Sequence, residues 1–353
     1  MNRIILTVLS LVLVPFSLAQ DTAAQDKFLG NIFTGQVDPL FAEYWEQITP
    51  ENSGKWGSVE ATRDKMLWSN LDAMFAYAKE NDMPVKHHTF IWGQQEPRWI
   101  ADLPPEEQRA EVEEWMEAFA ERYPDVEMID VVNEAQHDAP SFKDAIGGDG
   151  ETGWDWMIWS FEKTRELFPD AVLLINDYNI LCCEQDMAVY QEQIAILNER
   201  GLLDGIGVQA HGLKNVSPEM IQSGLDALAE FGLPIYISEL DIDAYEDEDQ
   251  LQLYQDIFPV LWDHPAVVGV TFWGYKAGDI FLNNADLINW FDEERPALEF
   301  ILEYTGADTT DSDTSGVDTT EPDAADPDAA DPDAADPETA DPDAADSETD
   351  TND

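Results

Sequence analysis

The chain predicts a (β/α)8 barrel, the TIM barrel fold, between residues 26 and 306. Strand-like apolar runs alternate with helix-like amphipathic stretches along these residues, and eight such units can be counted. About 280 residues is the usual size of a barrel in which eight parallel strands are each followed by a helix. The apolar runs are nearly continuous, as expected for parallel strands that are buried on both faces.

Each strand-like run is followed by polar or turn-forming residues. In chain order the runs are LGNIFTGQV, WEQITPEN, PVKHHTFIW, MIDVVNEA, VLLINDYN, DGIGVQAHG, LPIYISELDI and VVGVTFWGY. The clearest helix-like stretches are RDKMLWSNLDAMFAYAKEN, PPEEQRAEVEEWMEAFAERY, EQDMAVYQEQIAILNERG and SPEMIQSGLDALAEFG. The last has Ser217 as its N-cap and Pro218 at its first helical position. The first unit is the least regular, because only DPLFAEYWE follows its strand.

Both ends of the chain differ in composition from the predicted barrel. Residues 1–19 carry a basic residue, Arg3, near their start, continue as an apolar run and end in small residues, which is the order of a secretory signal peptide. We therefore expect a protein that works outside the cytoplasm, in the medium or in the periplasm. Residues 307–353 contain DPDAA repeats with a period of five and no aromatic residue, so we expect a disordered acidic tail.

The formal net charge of −58 restricts the classes of partner. Residues 307–353 hold 18 of the 75 acidic residues and no basic one, so the predicted barrel alone carries about −40. Such a surface repels nucleic acid and anionic lipid, and it keeps a protein soluble and monomeric. We expect a monomer with a neutral substrate, and neither nucleic acid nor membrane as a partner.

Polar side chains cluster where the predicted strands end. The active site of such a barrel lies at the C-terminal ends of its strands. The residues at these positions are Asn52, Lys55, His88, Trp92, Asn133, Glu134, Asn176, Asp177, Gln209, His211, Glu239, Asp241 and Trp273. Aromatic rings that stack on pyranose rings, together with amides that bond hydroxyl groups, indicate a sugar site.

Two of these residues, Glu134 and Glu239, suggest a reaction. They end the fourth and seventh predicted strands, so they would face each other across the mouth of the barrel. Glycoside hydrolysis uses such a pair, with one carboxyl protonated to help the leaving group and one ionised on the other face of the sugar. The sequence therefore predicts a glycoside hydrolase.

Other readings of the polar residues are weaker. A metal site could be built from His87, His88, His211, Asp177, Asp241 and the two glutamates, but the first strand has no H-x-H and the sequence offers no candidate for a carboxylated lysine. The acidic run DIDAYEDEDQ lacks the glycine and the spacing of a calcium-binding EF-hand loop. The neighbouring Cys182 and Cys183 are read as two thiols, and the alternative is a bridge between adjacent residues, which would be strained.

Seven segments, in order, resemble the motifs of glycoside hydrolase family 10, the retaining endo-β-1,4-xylanases. They are ITPENSGKW, HTFIWGQQEPRW, DVVNEA, INDYN, GVQAHG, ISELDI and TFWG. The resemblance spans residues 28 to 306. It implies the same barrel fold, hydrolysis of internal β-1,4 bonds of xylan by double displacement, and no need for a cofactor or a metal.

Residue by residue, the resemblance implies that Glu134 is the general acid and then base, and that Glu239 is the nucleophile. It implies that His211 and Asp241 keep Glu239 ionised and oriented, and that Asn133 reaches the sugar 2-hydroxyl. The residues implied to line the glycone side are Asn52, Lys55, His88, Trp92, Gln95 and Trp273. Those implied to lie around the cleavage point and the leaving side are Asn176, Tyr178 and Gln209.

Two positions depart from the family pattern. Gly93 stands where the family usually has a histidine, and Phe281 is the nearest aromatic residue to the place of a usual second tryptophan after the eighth strand. Both positions belong to the sugar-binding wall, whereas both glutamates are present. We therefore expect the retaining reaction, with xylan as substrate. The alternatives are a related retaining hydrolase of another β-glycan and a barrel that binds glycan without cutting it.

Overall fold

The computed structural model describes residues 27–36 and 38–307, and within them eight parallel strands form one sheet. The strands are β1 (Phe28–Phe33), β2 (Gln47–Pro50), β3 (Lys86–Ile91), β4 (Met128–Asn133), β5 (Val172–Asp177), β6 (Gly205–Val208), β7 (Ile235–Leu240) and β8 (Val267–Phe272). Each predicted run overlaps one of these strands, which confirms the (β/α)8 prediction. The predicted signal peptide and almost all of the predicted tail lie outside the described residues.

Helices follow the strands as predicted. They are α1 (Phe41–Tyr44), α2 (Trp56–Val59), α3 (Ser69–Glu80), α4 (Pro105–Arg122), α5 (Asp155–Leu167), α6 (Glu184–Glu199), α7 (Pro218–Ala229), α8 (Asp247–Trp262) and α9 (Pro296–Thr305). The Ser217 hydroxyl oxygen accepts the N–H of Met220 at 3.3 Å, which confirms the predicted N-cap of α7. In the described residues, none of these helices has the length and apolar character needed to span a membrane.

The sheet runs in the order β2-β1-β8-β7-β6-β5-β4-β3, so its two edge strands are β2 and β3. These edges meet in a bridge between Ile48 and Val85, where the Ile48 N–H donates to the Pro84 carbonyl oxygen at 3.1 Å. The described residues show only this isolated bridge between the two strands, so the barrel is nearly rather than fully closed. We call this joint the β2/β3 seam.

The barrel interior changes character along its axis. Near the N-terminal ends of the strands, Met128, Leu174 and Tyr236 pack together as an apolar plug. Nearer the C-terminal ends the buried side chains become polar, and Asp130 and Asn176 are both fully buried. Buried polar groups cost free energy unless they are paired. The polar half of the interior therefore marks the end of the barrel that holds the candidate site.

Candidate active site

The two predicted glutamates lie at the C-terminal ends of β4 and β7. Glu134 directly follows β4, and Glu239 is the next-to-last residue of β7. Their exposed fractions are only 8% and 4%. Because β5 and β6 separate these strands in the sheet, the two carboxyls approach the mouth of the barrel from different sides.

Two buried amides link the carboxyl groups. Asn176 Nδ2 donates to Glu239 Oε1 at 2.7 Å and to Asn133 Oδ1 at 2.9 Å. Gln209 Nε2 donates to Glu134 Oε1 at 2.9 Å and lies 3.2 Å from Asn133 Oδ1. The network therefore runs from one glutamate to the other through three amide side chains, all predicted as site residues.

The backbone turns sharply at Glu134, where φ is +55°. This left-handed conformation is uncommon for a residue with a side chain, and it costs on the order of 1–3 kcal/mol unless its surroundings hold it. Here the Glu134 N–H donates to the Asn176 carbonyl oxygen at 2.8 Å. The turn thus ends β4 while keeping Glu134 tied to β5.

Glu239 is held as a carboxylate. Its Oε2 lies 3.2 Å from His211 Nε2, and the other ring nitrogen, Nδ1, lies 2.9 Å from Asp241 Oδ2. Burial opposes a charged imidazole, but the bonds to Asp241 and Glu239 raise the pKa of His211 to about 10. Burial would also raise the pKa of Glu239, yet His211 and the nearby His88 outweigh it and lower that pKa.

Glu134 has the opposite tendency. Burial, together with the negative charge of Glu239, raises the pKa of Glu134 to about 7, although its hydrogen bonds from Gln209 and Trp92 act against this. The Trp92 indole N–H donates to Glu134 Oε2 at 2.8 Å. Near neutral pH the site therefore pairs a carboxyl that can give a proton with one that cannot. This is the arrangement of an acid and a nucleophile or base.

Four predicted sugar-binding residues lie together beside this pair. Gln95 Nε2 donates to Asn52 Oδ1 at 3.1 Å, and Lys55 Nζ donates to the same oxygen at 3.3 Å. Lys55 Nζ also lies 4.7 Å from the centre of the Trp92 ring. Burial lowers the pKa of Lys55, against the opposing effect of Glu239. The structure thus joins Asn52, Lys55, Trp92 and Gln95 in one wall.

His88 and Trp273 lie at the floor of the site. Their ring centres are 5.2 Å apart, edge to face. The imidazole Nδ1 of His88 is 2.9 Å from Asp130 Oδ2, which also accepts Lys86 Nζ at 2.7 Å. Burial lowers the pKa of His88, although its hydrogen bond to Asp130 and the negative charge of Glu239 act against this. Neither Lys86 nor Asp130 was predicted as part of this arrangement.

Tyr178 occupies the other side of Glu134, and a residue that was not predicted supports it. The rings of Tyr178 and His137 stack with their centres 4.0 Å apart. His137 Nδ1 lies 2.8 Å from Asp177 Oδ1. Burial raises the pKa of Asp177 to about 6, although His137 acts against it. The only sequence signal for His137 is its place three residues after Glu134.

Glu51 was also missed, although it stands directly before the predicted Asn52. Burial raises the pKa of Glu51, with Lys55 acting against this and the negative charges of Asp279 and Glu239 adding to it. The carboxyl therefore lies within electrostatic reach of the nucleophile candidate. Its signal in the sequence was its place in the polar run that ends the second strand.

The structure explains the glycine that departs from the family pattern. A side chain at Gly93 would place its Cβ 2.5 Å from the carbonyl oxygens of both Asp138 and Ala139. The Gly93 N–H donates to the Asp138 carbonyl oxygen at 2.8 Å. The loop after β4 thus occupies the space that a histidine would need. Phe281 is 68% exposed, and its ring centre is 5.9 Å from that of His211.

The alternative metal ligands do not all meet in the cleft. His87 points away from it and packs against Phe119 of α4, with ring centres 4.0 Å apart. Elsewhere, Glu60, Asp64 and Glu111 bring one oxygen each within 4.8 Å of one another, but Arg63 already pairs with Glu111. This acidic group lies outside the candidate active site.

Two other sequence features have ordinary structural roles. The acidic run after β7 supplies Asp247, Glu248 and Asp249 to the first turn of α8, where negative charge favours the positive end of the helix dipole. Cys182 and Cys183 are both free thiols and half-buried, as expected.

Comparison with known proteins agrees with this geometry. The family model described as "Glycosyl hydrolase family 10" matches residues 16–304. The chain is 41% identical over 279 residues to endo-1,4-beta-xylanase B of Cellvibrio japonicus, covering 78% of this chain and 45% of that relative. It is 30% identical over 240 residues to endo-1,4-beta-xylanase B of Thermotoga neapolitana, covering 65% and 69%. The chain therefore spans less than half the length of the first relative.

Solved structures show the same barrel. Native xylanase 10B from Thermotoga maritima is similar with a TM-score of 0.70 and 26% identity, covering 80% of this chain and 95% of that one. Xylanase 10B from Thermotoga petrophila, solved in complex with xylobiose, has a TM-score of 0.68 and 25% identity, covering 80% and 94%. The matched family model, the relatives and the barrel with its paired glutamates agree, and the chain belongs to glycosyl hydrolase family 10.

Proposed function

We propose that this protein is a secreted endo-β-1,4-xylanase that retains the configuration of the sugar it cleaves. The main support is the opposite shift of two carboxyl pKa values, with Glu134 raised to about 7 and Glu239 lowered. The names of the relatives add support for xylan as the substrate. The signal-like residues 1–19 support action outside the cytoplasm.

In the proposed first step, Glu239 Oε attacks the anomeric carbon and forms a glycosyl ester. Glu134 gives its proton to the glycosidic oxygen at the same time, so that the leaving sugar departs as an alcohol. His211 has a pKa of about 10 and therefore stays positive, which keeps Glu239 ionised before the attack. Asn176 holds the second carboxylate oxygen of Glu239 at 2.7 Å, and this bond fixes the direction of attack.

In the second step, Glu134 is the base. It is now ionised, and it removes a proton from the water that attacks the anomeric carbon and releases Glu239. Loss of the charge on Glu239 in the ester removes one cause of the raised pKa of Glu134. Two inversions give net retention. The amide of Asn133, held by Asn176, is placed to bond the sugar 2-hydroxyl.

The test compares alanine variants of the two glutamates on linear xylan. Glu239→Ala should lose essentially all activity, whereas Glu134→Ala should lose roughly 10² to 10⁴ in turnover because it lacks only acid assistance. On an aryl xyloside with a good leaving group, Glu134→Ala should still form the ester, because that leaving group needs no proton. Glu248→Ala, an exposed glutamate on α8, is the matched control.

Three results would contradict the proposal in different ways. A first product with the α configuration, seen by nuclear magnetic resonance, would exclude retention. Release of reducing ends from another β-glycan but not from xylan would show that the other glycan is the substrate. Binding of xylan by the unmodified chain without any release of reducing ends would make the barrel a binding protein.

A further inference from the structure

The segment between β8 and α9 ends in a short antiparallel hairpin, in which Ile288 pairs with Glu294 and two exposed aromatic residues lie at the tip. Earlier in the segment, Lys276 and Ile288 form a parallel bridge. The Ala277 N–H donates to the Ile288 carbonyl oxygen at 2.9 Å. Nearer the tip, Asn289 Oδ1 accepts the N–H of Phe291 at 2.8 Å and that of Glu293 at 3.1 Å. These hydrogen bonds fix the conformation of the turn, so the tip has a defined structure. We call the whole segment, residues 275–294, the β8 hairpin.

Trp290 at the tip is held in place although most of its surface faces water. Its exposed fraction is 77%. A Cβ at Gly278 would lie 2.8 Å from Cη2 of the indole, so the ring rests against the glycine backbone. Gly278 has a φ of +95°, which favours glycine for a second reason. Phe291, the next residue, is 82% exposed, so the tip presents two neighbouring aromatic residues, and such concentrations of exposed apolar surface mark binding sites.

The β8 hairpin lies on the same face of the barrel as the cleft, because it joins the C-terminal end of β8 to the start of α9. A groove of about 210 Å³ separates it from the loop after β1, and Gln36, Lys276 and Asp279 are among its lining residues. Phe33 also lines the groove, and its carbonyl oxygen accepts the Glu51 N–H at 3.0 Å. The groove therefore borders Glu51, and Asp279 in its lining directly follows Gly278, the residue on which the Trp290 ring rests.

Charge and chemistry restrict what this surface can bind. Asp279, Asp292, Glu293 and Glu294 make the hairpin acidic, and the whole chain carries −58. Nucleic acid, anionic lipid and a second copy of this chain are all repelled by such a surface. A neutral sugar chain is not repelled. It can stack on the indole, and its hydroxyls can bond Gln36, Lys276 and Asp279 in the groove.

We propose that Trp290 is the platform of a distal subsite for the main chain of xylan, reached through the groove beside Glu51. This inference rests on the proposed function, since it assigns the site a substrate that is longer than the cleft alone would hold. Oligosaccharides too short to leave the cleft would not touch Trp290. Longer oligosaccharides would extend beyond the cleft and gain one stacking contact with Trp290.

The experiment measures binding to the full chain with Glu239→Ala, so that the ligand is not cleaved. Three proteins are titrated with xylotriose and with xylohexaose by calorimetry. They are the Glu239→Ala protein with Trp290 intact and the same protein with Trp290→Ala or Trp290→Phe added. We expect Trp290→Ala to weaken xylohexaose binding roughly fivefold, the size of one aromatic contact, and to leave xylotriose binding unchanged. Trp290→Phe should recover most of the loss. Tyr245→Ala, an exposed aromatic residue on the loop after β7, is the matched control and should change neither.

Each other outcome overturns the subsite. Equal xylohexaose affinity with and without the indole would exclude the platform while leaving the proposed function intact. Equal losses on both ligands would mean that Trp290 acts by shaping the loop. An equal loss in Tyr245→Ala would mean that the effect is not specific to the β8 hairpin. Failure of the Trp290 protein to bind any xylo-oligosaccharide would reject both this subsite and xylan as substrate.

Discussion

Glu134 accepts hydrogen bonds from two neutral donors, whereas Glu239 lies beside a positively charged imidazole. This difference in partners, at similar burial, drives the two pKa values apart. Glu134 is bonded by the Gln209 amide and the Trp92 indole, whereas Glu239 has the His211 and Asp241 pair beside it. The neighbouring side chains therefore determine which of the two glutamates keeps its proton near neutral pH.

The pH dependence of xylan hydrolysis should follow from these two groups. In the proposed mechanism, activity needs Glu134 protonated and Glu239 ionised. The value of kcat/KM should therefore fall as pH rises through about 7, the pKa of Glu134, and fall again as pH drops below the ordinary glutamate value of 4.5. A profile on xylo-oligosaccharides measures both limbs.

An activated aryl xyloside provides the internal control for this profile. Its leaving group needs little protonation, so the fall near pH 7 should become shallower while the acidic limb stays. If kcat/KM on xylo-oligosaccharides began to fall only above pH 9, Glu134 would not be the acid.

The sequence located Glu134 and Glu239 because each stands where an apolar run gives way to polar residues. It did not show that Asn176 contacts both Ser238 and Glu239. Neighbouring residues of a regular strand face opposite sides. The register of β7 shifts between Ile237 and Leu240, and such an irregularity re-aims side chains, which an alternating pattern cannot foresee.

At the scale of elements, β3 and β4 are joined inside the barrel by a buried ion pair. Lys86 and Asp130 are both essentially inaccessible to water, and the same carboxylate oxygen also bonds His88. Burial would raise the pKa of Asp130, but Lys86 and His88 outweigh it and lower that pKa. The pair therefore positions His88 under the site.

Removing one partner should destabilise the barrel more than removing both. Lys86→Met leaves a buried carboxylate without its cation and should cost roughly 3–5 kcal/mol of the free energy of unfolding. The double variant Lys86→Met/Asp130→Leu should recover a large part of this loss, because no charge stays buried. Denaturant titration of the parent, both single variants and the double variant measures the coupling. Additive losses would show that the two charges are not energetically paired.

Three of the four predicted helix-like stretches begin within one residue of the observed helix, and one does not. The helix predicted from Arg63 begins only at Ser69, because Arg63 is drawn towards Glu107 and Glu111 and Asp64 has a φ of +63°. These contacts join residues about 45 positions apart, so no local pattern could show them. The irregular first unit was anticipated correctly, since α1 has only four residues.

At the scale of the whole molecule, the charge of −58 is the dominant feature. With 75 acidic and 17 basic residues, most carboxylates have no basic partner available. Like charges that lie close together destabilise the compact state relative to the expanded chain. Added salt reduces this repulsion, since the screening length falls from about 30 Å at 0.01 M to about 3 Å at 1 M.

We expect the melting temperature to rise by several degrees as sodium chloride increases from low to near-marine concentration at fixed pH. Turnover on neutral xylo-oligosaccharides should change little, because the substrate needs no electrostatic steering. Thermal melts across a salt series, with activity assays in parallel, provide the measurement. A melting temperature that stays flat or falls with salt would show that the surface charges are already paired or well spaced.

The β2/β3 seam gives the barrel a joint that crosses the sugar-binding wall. Asn52 and Lys55 follow β2 on one side of it, whereas Trp92 and Gln95 follow β3 on the other. A bound sugar held by both groups would therefore clamp the two edge strands together. Sugar binding and closure of the seam are then thermodynamically linked. Binding of the sugar stabilises the closed seam, and a closed seam strengthens sugar binding by the same free energy.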